Sequence, residues 1–274
     1  MEASARRAGM AAGRVLRHWR SVRRISQMDL AMQAGISPRH LSFVETGRSS
    51  PSRSVILQLA GALDLSLRDT NNLLEAAGYA RVYGERNLSA PEMAQMRSVV
   101  EFVLAKHEPY GAIAMDKHWN VILANGAHYR MLDRLLGDHD LPEHVTSNML
   151  RLVMHPKALR PRIVNWEEVA LVVRERLRRE TVGTQDAELR HILSEVEMYP
   201  GVSALAAKTT DEPIADLLIP VHVRLRGVDL RFLSAVTTVG APQDITLQEL
   251  RIETFFPADE QTEAFVQQVS ESLS

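Results

Sequence analysis

Apolar residues recur at helical spacing through residues 1–80. Val15, Leu16 and Trp19 lie on one face of a helix predicted over residues 7–24. Short apolar stretches with the same spacing follow, most of them preceded by a serine and ended by a glycine. Serine caps a helix start, and glycine accepts the left-handed conformation that ends a helix. The pattern predicts a compact domain of five helices over residues 1–80.

The second and third predicted helices are separated by a very short connection, Gly35 and Ile36. The second helix is predicted to begin after Ser26, whose spacing to an acidic residue three positions on fits a capping box. The third is predicted to begin after Ser37, with Pro38 at its first position. So short a connection forces a sharp angle, which is the geometry of a helix-turn-helix.

A connector is predicted over residues 81–107. It contains a helix over residues 91–107 with many apolar positions. Two interpretations stay open: the helix joins the domains and helps two chains to dimerise, or it only packs against its own domain.

The pattern then changes to strands and helices in alternation. Apolar runs at 112–115 and 121–124 predict a β-hairpin, and a helix is predicted over 126–136. A helical region over 147–197 follows, with breaks expected at Pro156, at Pro161 and near Gly183.

Period-two alternation begins at Val221, resumes after Gly227 and returns near Arg251. Five strands, with helices inserted after the second, predict an antiparallel sheet that carries helices on one face. The predicted fold class is therefore an all-α helix-turn-helix domain over 1–80 and an α+β domain over 108–274.

Composition narrows the function. The chain has 274 residues, which fits two domains, and a hydrophobic fraction of 45%, which is sufficient for a core. It has no cysteine, so disulfides, thiolate nucleophiles and cysteine-bound zinc are excluded. Since no apolar run reaches membrane-spanning length and no secretory signal is apparent, we expect a cytoplasmic protein without a membrane partner.

The net charge of −2 hides an asymmetry. Residues 1–80 contain eleven arginines, no lysine and six acidic residues, a net +5, whereas the remainder has a net −7. This split indicates that the N-terminal part binds a polyanion. The alternative is an ordinary solvated basic face.

The first domain resembles the lambda-repressor-like, or XRE-type, helix-turn-helix. The resemblance covers about residues 10–80 and rests on many positions at fixed spacing. The matching segments are 26–31 (SQMDLA), 35–37 (GIS), 41–48 (LSFVETGR) and 51–52 (PS).

The resemblance implies double-stranded DNA as a partner, with the third helix in the major groove. Gln27 would bind a phosphate at a helix N-terminus. Arg39 would bind guanine and Phe43 would touch a thymine methyl group. The full predicted set is Gln27, Ser37, Pro38, Arg39, His40, Ser42, Phe43, Arg48 and Arg53. An ion pair between Arg20 and Glu45 is predicted to be structural.

The second domain resembles a PAS-like sensor and, more narrowly, the ligand-binding domain of MmyB-like regulators, over about residues 105–265. The matching segments are 124–125 (AN), 148–152 (NMLRL), 155–156 (HP), 160–170 (RPRIVNWEEVA), 240–244 (GAPQD) and 249–259 (ELRIETFFPAD). The resemblance implies a pocket for a small apolar ligand, with fatty acids as the leading class.

A carboxylate head group would need arginine, histidine or asparagine near an apolar lining. Arg160, Arg162, Asn165 and Trp166 lie together in the sequence and are the main candidates. Met115, Leu123, Phe232 and Val236 are further candidates, because in PAS-like folds the hairpin and sheet line the pocket. Taken singly, each of the first four is also explained by core packing or by solvated charge.

Catalysis is not expected. The sequence has no nucleophile elbow, phosphate-binding loop or dinucleotide fingerprint. Asp138, His139 and Asp140, with His144 nearby, fit a polar surface loop better than a metal site. We expect neither a metal nor a cofactor beyond a bound fatty acid or similar ligand.

The expected function is that of a homodimeric DNA-binding regulator whose second domain senses an apolar ligand. Two alternatives stay open. The second domain serves only dimerisation or protein interaction, or the helix-turn-helix itself has become a protein-interaction module.

Overall fold

The computed structural model describes residues 2–182, 186–205 and 219–271. These residues form two compact units. The N-terminal unit comprises, of the described residues, 2–86, 182 and 240–248. The C-terminal unit comprises 87–181, 186–205, 219–239 and 249–271.

Five helices near the start of the sequence build most of the N-terminal unit. They are α1 (Glu2–Arg23), α2 (Gln27–Gln33), α3 (Pro38–Glu45), α4 (Arg53–Ala62) and α5 (Leu67–Ala76). Their inward residues form one hydrophobic core around Leu16, Leu30, Leu41, Leu59 and Leu73, all of which are fully buried. The predicted all-helical domain is confirmed.

Local chemistry explains where these helices begin and end. The Ser26 hydroxyl accepts a hydrogen bond from the Asp29 amide at 3.1 Å and donates one to the Asp29 carboxylate at 2.6 Å. In a capping box the Asp29 side chain would bind the backbone amide of Ser26. Here it binds the Ser26 hydroxyl instead. Gly35 follows α2 with φ +67°, which only glycine adopts without strain.

The helix pair α1 and α3 approaches closely at Gly13. A Cβ atom at this position would lie 2.5 Å from the Val44 carbonyl oxygen and 2.7 Å from that of Glu45. The missing side chain therefore permits backbone-to-backbone packing of α1 on α3.

The N-terminal unit also includes a segment from late in the sequence, 240–248. Asp244 is buried and its carboxylate lies 3.1 Å from the Arg86 guanidinium. The Ile245 amide donates to the Gly84 carbonyl at 2.9 Å, and the Gln248 side chain accepts from the Leu67 amide at 2.8 Å. These bonds fasten the segment to the end of the helical domain.

A five-stranded antiparallel sheet organises the C-terminal unit. Its strands are β1 (Ala112–Met115), β2 (Val121–Ala124), β3 (Ile219–Leu225), β4 (Val228–Thr238) and β5 (Arg251–Pro257), in the order β2-β1-β5-β4-β3. The predicted sheet is confirmed. Because successive side chains point to opposite faces and all four residues of β1 are buried, β1 is covered on both faces rather than on one.

The helices of this unit are α6 (Ala94–Lys106), α7 (Gly126–Leu136), α8 (Glu143–Thr146), α9 (Met149–Met154), α10 (Trp166–Thr181), α11 (Ala187–Met198), α12 (Val202–Leu205), α13 (Ile245–Glu249) and α14 (Glu260–Glu271), although most of α13 belongs to the N-terminal unit. They include those predicted within 91–107, 126–136 and 147–197, together with four that were not predicted, α8, α12, α13 and α14. Short 3-10 turns occupy Pro91–Met93 and Arg160–Arg162. The region 147–197 is interrupted around Pro156 and Pro161 as expected, whereas the break near Gly183 lies outside the described residues.

Candidate DNA-binding surface and ligand cavity

Helix α3 presents an apolar side to the core and a polar side to solvent. Its buried residues are Leu41, Val44 and Glu45. The Ser37 side chain caps its N-terminus by accepting from the His40 amide at 3.1 Å, and Pro38 occupies the first turn. Helix α3 is therefore a short, capped helix with one side open to solvent.

Arg39 and Phe43 lie together on that free side. The Arg39 guanidinium carbon lies 5.4 Å from the centre of the Phe43 ring, a cation–π contact. Phe43 is half-buried and does not belong to the hydrophobic core of the unit. A flat cation and an apolar ring side by side can read a guanine edge and a thymine methyl group.

Glu45 is the most buried charge of the N-terminal unit's described residues, with 2% exposure. Arg20 binds it with two hydrogen bonds, Nε to Oε1 at 2.7 Å and Nη2 to Oε2 at 3.0 Å. The Gln27 amide donates to Oε2 at 2.6 Å. Burial alone raises the pKa of Glu45, but these bonds and the nearby Arg17 outweigh it and hold the pKa below its ordinary value.

This network joins three helices. Arg20 belongs to α1, Gln27 begins α2 and Glu45 ends α3. Gln27 therefore binds Glu45 within the protein, in addition to its predicted phosphate contact. This hydrogen bond links the start of α2 to the end of α3. Phosphate contact by Gln27 stays a prediction.

The other predicted DNA contacts lie around α3. Arg39, Arg48 and Arg53 are exposed, and none of the three has a carboxylate partner among the described residues. His40 and Ser42 are half-buried on α3, and Ser37 and Pro38 are exposed at its start. Unpaired exposed arginines are the chemistry that phosphate contact requires.

The C-terminal unit contains an apolar cavity of about 140 Å³. Its wall combines sheet and helix residues, among them Val221, Phe232, Phe255, Val169, Val173 and Val266. An engineered apolar cavity of about 150 Å³ binds benzene, so a space of this size can hold a small hydrocarbon group. The cavity is therefore suited to a hydrocarbon group.

Three polar side chains interrupt this apolar wall deep in the unit: His128, Ser234 and Glu253. His128 is 8% exposed, and burial lowers its pKa to about 4, so the imidazole is neutral near pH 7. Burial raises the pKa of Glu253, opposed by a hydrogen bond from Ser234 and by the positive charge of Arg176. Arg130 and Ser270 also lie on the wall.

The predicted ligand residues are placed differently with respect to this cavity. Phe232 lines it. Met115 is buried in the core, and Leu123 and Val236 are half-buried on β2 and β4, all three outside the lining.

Arg160, Arg162, Asn165 and Trp166 also lie outside the lining, although Leu159 and Ile163 of the same segment contribute to it. Arg160 stacks on the Trp166 ring at 3.6 Å. The Trp166 indole donates to the Val153 carbonyl at 3.0 Å, and Arg162 donates to the Leu135 carbonyl at 3.3 Å. Asn165 bonds Glu168 and the His222 amide. Their polar atoms thus satisfy the protein's own backbone and side chains.

Sequence reasoning did not select His128, Ser234 or Glu253. Alternation marks Glu253 no more than the other two, because it shares a strand face with Arg251 and lies opposite Ile252, where a charged residue is ordinary. His128 and Ser234 carried no signal either.

Two further observations bear on chemistry. Asp138, His139 and Asp140 are exposed in the loop after α7, and the described residues contain no cluster of three or more metal-binding side chains. Among the described helices, none combines the length and apolar character needed to span a membrane.

The fold and the two sites define a helix-turn-helix transcription regulator with a separate ligand-binding domain. Residues 96–269 match the family model of the MmyB-like transcription regulator ligand binding domain, and residues 11–73 match a helix-turn-helix domain. The chain belongs to the MmyB-like transcription regulators, and both resemblances seen in the sequence are confirmed. Its partner is DNA.

Among solved structures, the chain is similar to the restriction-modification controller protein C.AhdI from Aeromonas hydrophila. The identity is 34% over 23% of this chain and 94% of that chain, with a TM-score of 0.22. A comparison with curated proteins found no match.

Proposed function

We propose that this regulator binds a fatty acid or related acyl compound in its C-terminal unit and that the ligand controls DNA binding by a homodimer. The observation that carries the proposal is the apolar cavity with its few polar groups. A site with this composition binds a hydrocarbon chain and orients one polar end.

Aromatic residues make up only 5% of the chain, and the cavity wall is mainly aliphatic. An aliphatic wall suits a flexible acyl chain better than a flat aromatic compound. The proposed function is binding alone, in the cytoplasm, and we assign no catalytic step, metal or cofactor to it.

On DNA, we propose that two chains place their α3 helices in successive major grooves, about 34–36 Å apart. The ligand controls this arrangement only if it binds one state of the dimer more tightly than another. Support comes from the exposed Arg39, from the half-buried Phe43 beside it and from the basic N-terminal region.

The alternative role of the C-terminal unit, dimerisation or protein interaction, has its own support. Helix α6 exposes Val99, Phe102 and Val103, with exposures of 52%, 62% and 40%. Exposed apolar residues on one helix are typical of an interaction surface. The two roles are compatible in one protein.

Native mass spectrometry of protein purified from cells, followed by denaturing extraction, tests the proposal. We expect a dimer that carries one acyl compound per chain. The cavity-filling variant Val173→Phe should lose the bound mass, whereas Val82→Phe, a matched change at an exposed position outside the cavity, should keep it. Wild-type protein that folds, binds DNA and carries no acyl compound, even after incubation with fatty acids, would refute the ligand part of the proposal.

DNA binding is measured separately by the salt dependence of the dissociation constant. Phosphate contacts release counterions, so affinity should fall steeply as salt rises. Binding that is insensitive to salt would instead support a protein-interaction role for the helix-turn-helix.

A further inference from the structure

A second space adjoins the apolar cavity within the C-terminal unit. It is an open cleft of about 340 Å³, and Val269 belongs to the walls of both spaces. The same helices build the two walls. Helix α7 supplies Leu135 to the cavity and Arg134 to the cleft, and α14 supplies Val266 to the cavity and Phe265 to the cleft. The cleft therefore continues the cavity rather than forming a separate site.

Strands β3 and β4 also continue from the cavity into the cleft. Val221 and Val223 of β3 line the cavity, and Leu225, two positions further along the same sheet face, lines the cleft. Val228 of β4 is paired with Leu225 and lines the cleft as well. The β3–β4 turn thus lies at the open end of one continuous apolar surface.

The inner cavity alone is too small for a long acyl chain. Its volume is about 140 Å³. An engineered cavity of about 150 Å³ holds a benzene molecule, so a longer chain must extend beyond a space of this size. The cleft offers such a chain a further apolar wall, which includes Phe265 and Val269.

Two arginines of the cleft have no acidic partner among the described residues. Arg134 is half-buried and donates one hydrogen bond, to the Arg130 carbonyl at 3.2 Å, and Arg226 is exposed in the β3–β4 turn. Arg130 itself, on the cavity wall, lies 2.5 Å from the Glu108 carboxylate. The positive charge that these two spaces offer to an anion is therefore concentrated in the cleft.

We infer that the cleft holds an anionic head group of the acyl ligand, a carboxylate or a phosphate ester, on Arg134 and Arg226, while the tail passes Val269 into the cavity. The inference rests on the proposed function and deepens it by giving the ligand an orientation. Guanidinium groups bind both kinds of oxyanion with charge-assisted hydrogen bonds. Glu253 on the inner wall supplies no positive charge, so an anionic head group placed there would be desolvated without a counterion.

Four probes with the same tail test the head group: decanoate, decyl phosphate, methyl decanoate and decylamine. Their dissociation constants are measured at pH 7.5 by calorimetry on the full-length wild-type protein. We expect at least one of the two anions to bind about tenfold more tightly than methyl decanoate, the effect of a hydrogen bond between charged groups. Decylamine should bind most weakly. The tighter of the two anions identifies the head group as a carboxylate or a phosphate ester.

Two substitutions remove the cations with little risk to the fold. Arg226 has φ +50°, a conformation that asparagine adopts more readily than arginine, so Arg226→Asn should leave the turn intact. Arg134→Met keeps a similar length and helix propensity. Each change should weaken binding of the preferred anion by about three- to tenfold and leave the affinity for methyl decanoate within about twofold. Arg231→Asn, at an exposed position outside both spaces, is the matched control and should change neither.

Each result supports or overturns a different part of the inference. Methyl decanoate or decylamine binding to wild type as tightly as both anions would overturn the anionic head group and leave an acyl-binding unit. A preference for the anions that survives in the double variant of Arg134→Met with Arg226→Asn would overturn the role of the cleft. Should the Arg134 variant fail to fold, Arg226→Asn alone decides that point. Failure of all four probes to bind would refute the proposed function, and the inference with it.

Discussion

Replacing Arg20 with methionine removes the principal partner of a buried carboxylate. Glu45 has no exposed side-chain surface, and Arg20 supplies two of its hydrogen bonds. Methionine has a similar length and helix propensity, so the change mainly removes charge and hydrogen bonding. The Gln27 bond to Glu45 remains.

The expected loss is large for a single substitution. Removing one partner of a buried ion pair costs about 3–5 kcal/mol, because the remaining charge stays desolvated. Arg20 retains 18% side-chain exposure and Gln27 still bonds Glu45, so we expect the lower end, about 3 kcal/mol. The double variant Arg20→Met with Glu45→Met removes both charges and should recover most of the loss.

Chemical denaturation of the three variants and wild type measures these free energies as a double-mutant cycle. The pH dependence adds an independent signature. In wild type the Glu45 pKa is lowered on folding, so its stabilisation is present above the unfolded value of 4.5 and is lost as pH falls below it. Without Arg20, burial should raise the pKa above 4.5, and stability should then fall as pH rises.

A loss below about 1 kcal/mol for Arg20→Met would show that solvent reaches Glu45 and would refute the reasoning. So would an unchanged pH dependence. DNA affinity should fall for every sequence alike, since the network holds α3 in place without reading bases.

Five further substitutions test separate features. Arg39→Ala should cost about 1–3 kcal/mol at one base position and relax specificity there, whereas Gln27→Ala should weaken all sequences alike; binding to a panel of operator variants separates them. Gly13→Ala should destabilise the N-terminal unit by about 1–3 kcal/mol, because its Cβ would overlap two carbonyl oxygens, while Gly61→Ala, with open space around it, should stabilise by about 0.5–1 kcal/mol in thermal unfolding. The lowered pKa of His128 should make the C-terminal unit lose about 3 kcal/mol as pH falls from 6.5 to about 4, and His128→Gln should abolish that dependence in acid titration followed by fluorescence.

Much of the N-terminal unit follows from local sequence. Serine caps, glycine stops and the apolar spacing each act within one helical turn, so they predict α2 and α3 directly. The Arg20 and Glu45 pair came from the resemblance alone. Nothing local shows that these two residues, 25 positions apart, lie 2.7 Å from each other.

The strands were also predictable, because alternation reports burial on one face. Their assembly into a cavity was not. The lining draws on residues from Pro109 to Ser270, and which side of each helix meets the sheet depends on packing between distant segments. Proximity in sequence instead favoured Arg160 and Trp166, whose side chains bond each other and nearby carbonyls.

Glu253 shows most clearly what the local sequence pattern does not predict. Alternation groups it with Arg251 on one face of β5, and only the folded structure shows that it lines the cavity together with Phe255. Charge state is a property of the assembled site rather than of the strand.

The segment 240–248 makes the helix-turn-helix region poorly separable by truncation. A fragment ending at residue 86 would lack Ile245, which is 1% exposed, and the carboxylate that faces Arg86. Because the same segment continues without interruption into β4 on one side and β5 on the other, exchanging the N-terminal region between relatives would require grafting two stretches of chain rather than one. Gene fusion or domain shuffling at a single junction would leave the DNA-binding domain without its late segment. The two domains of this family are therefore expected to be inherited together.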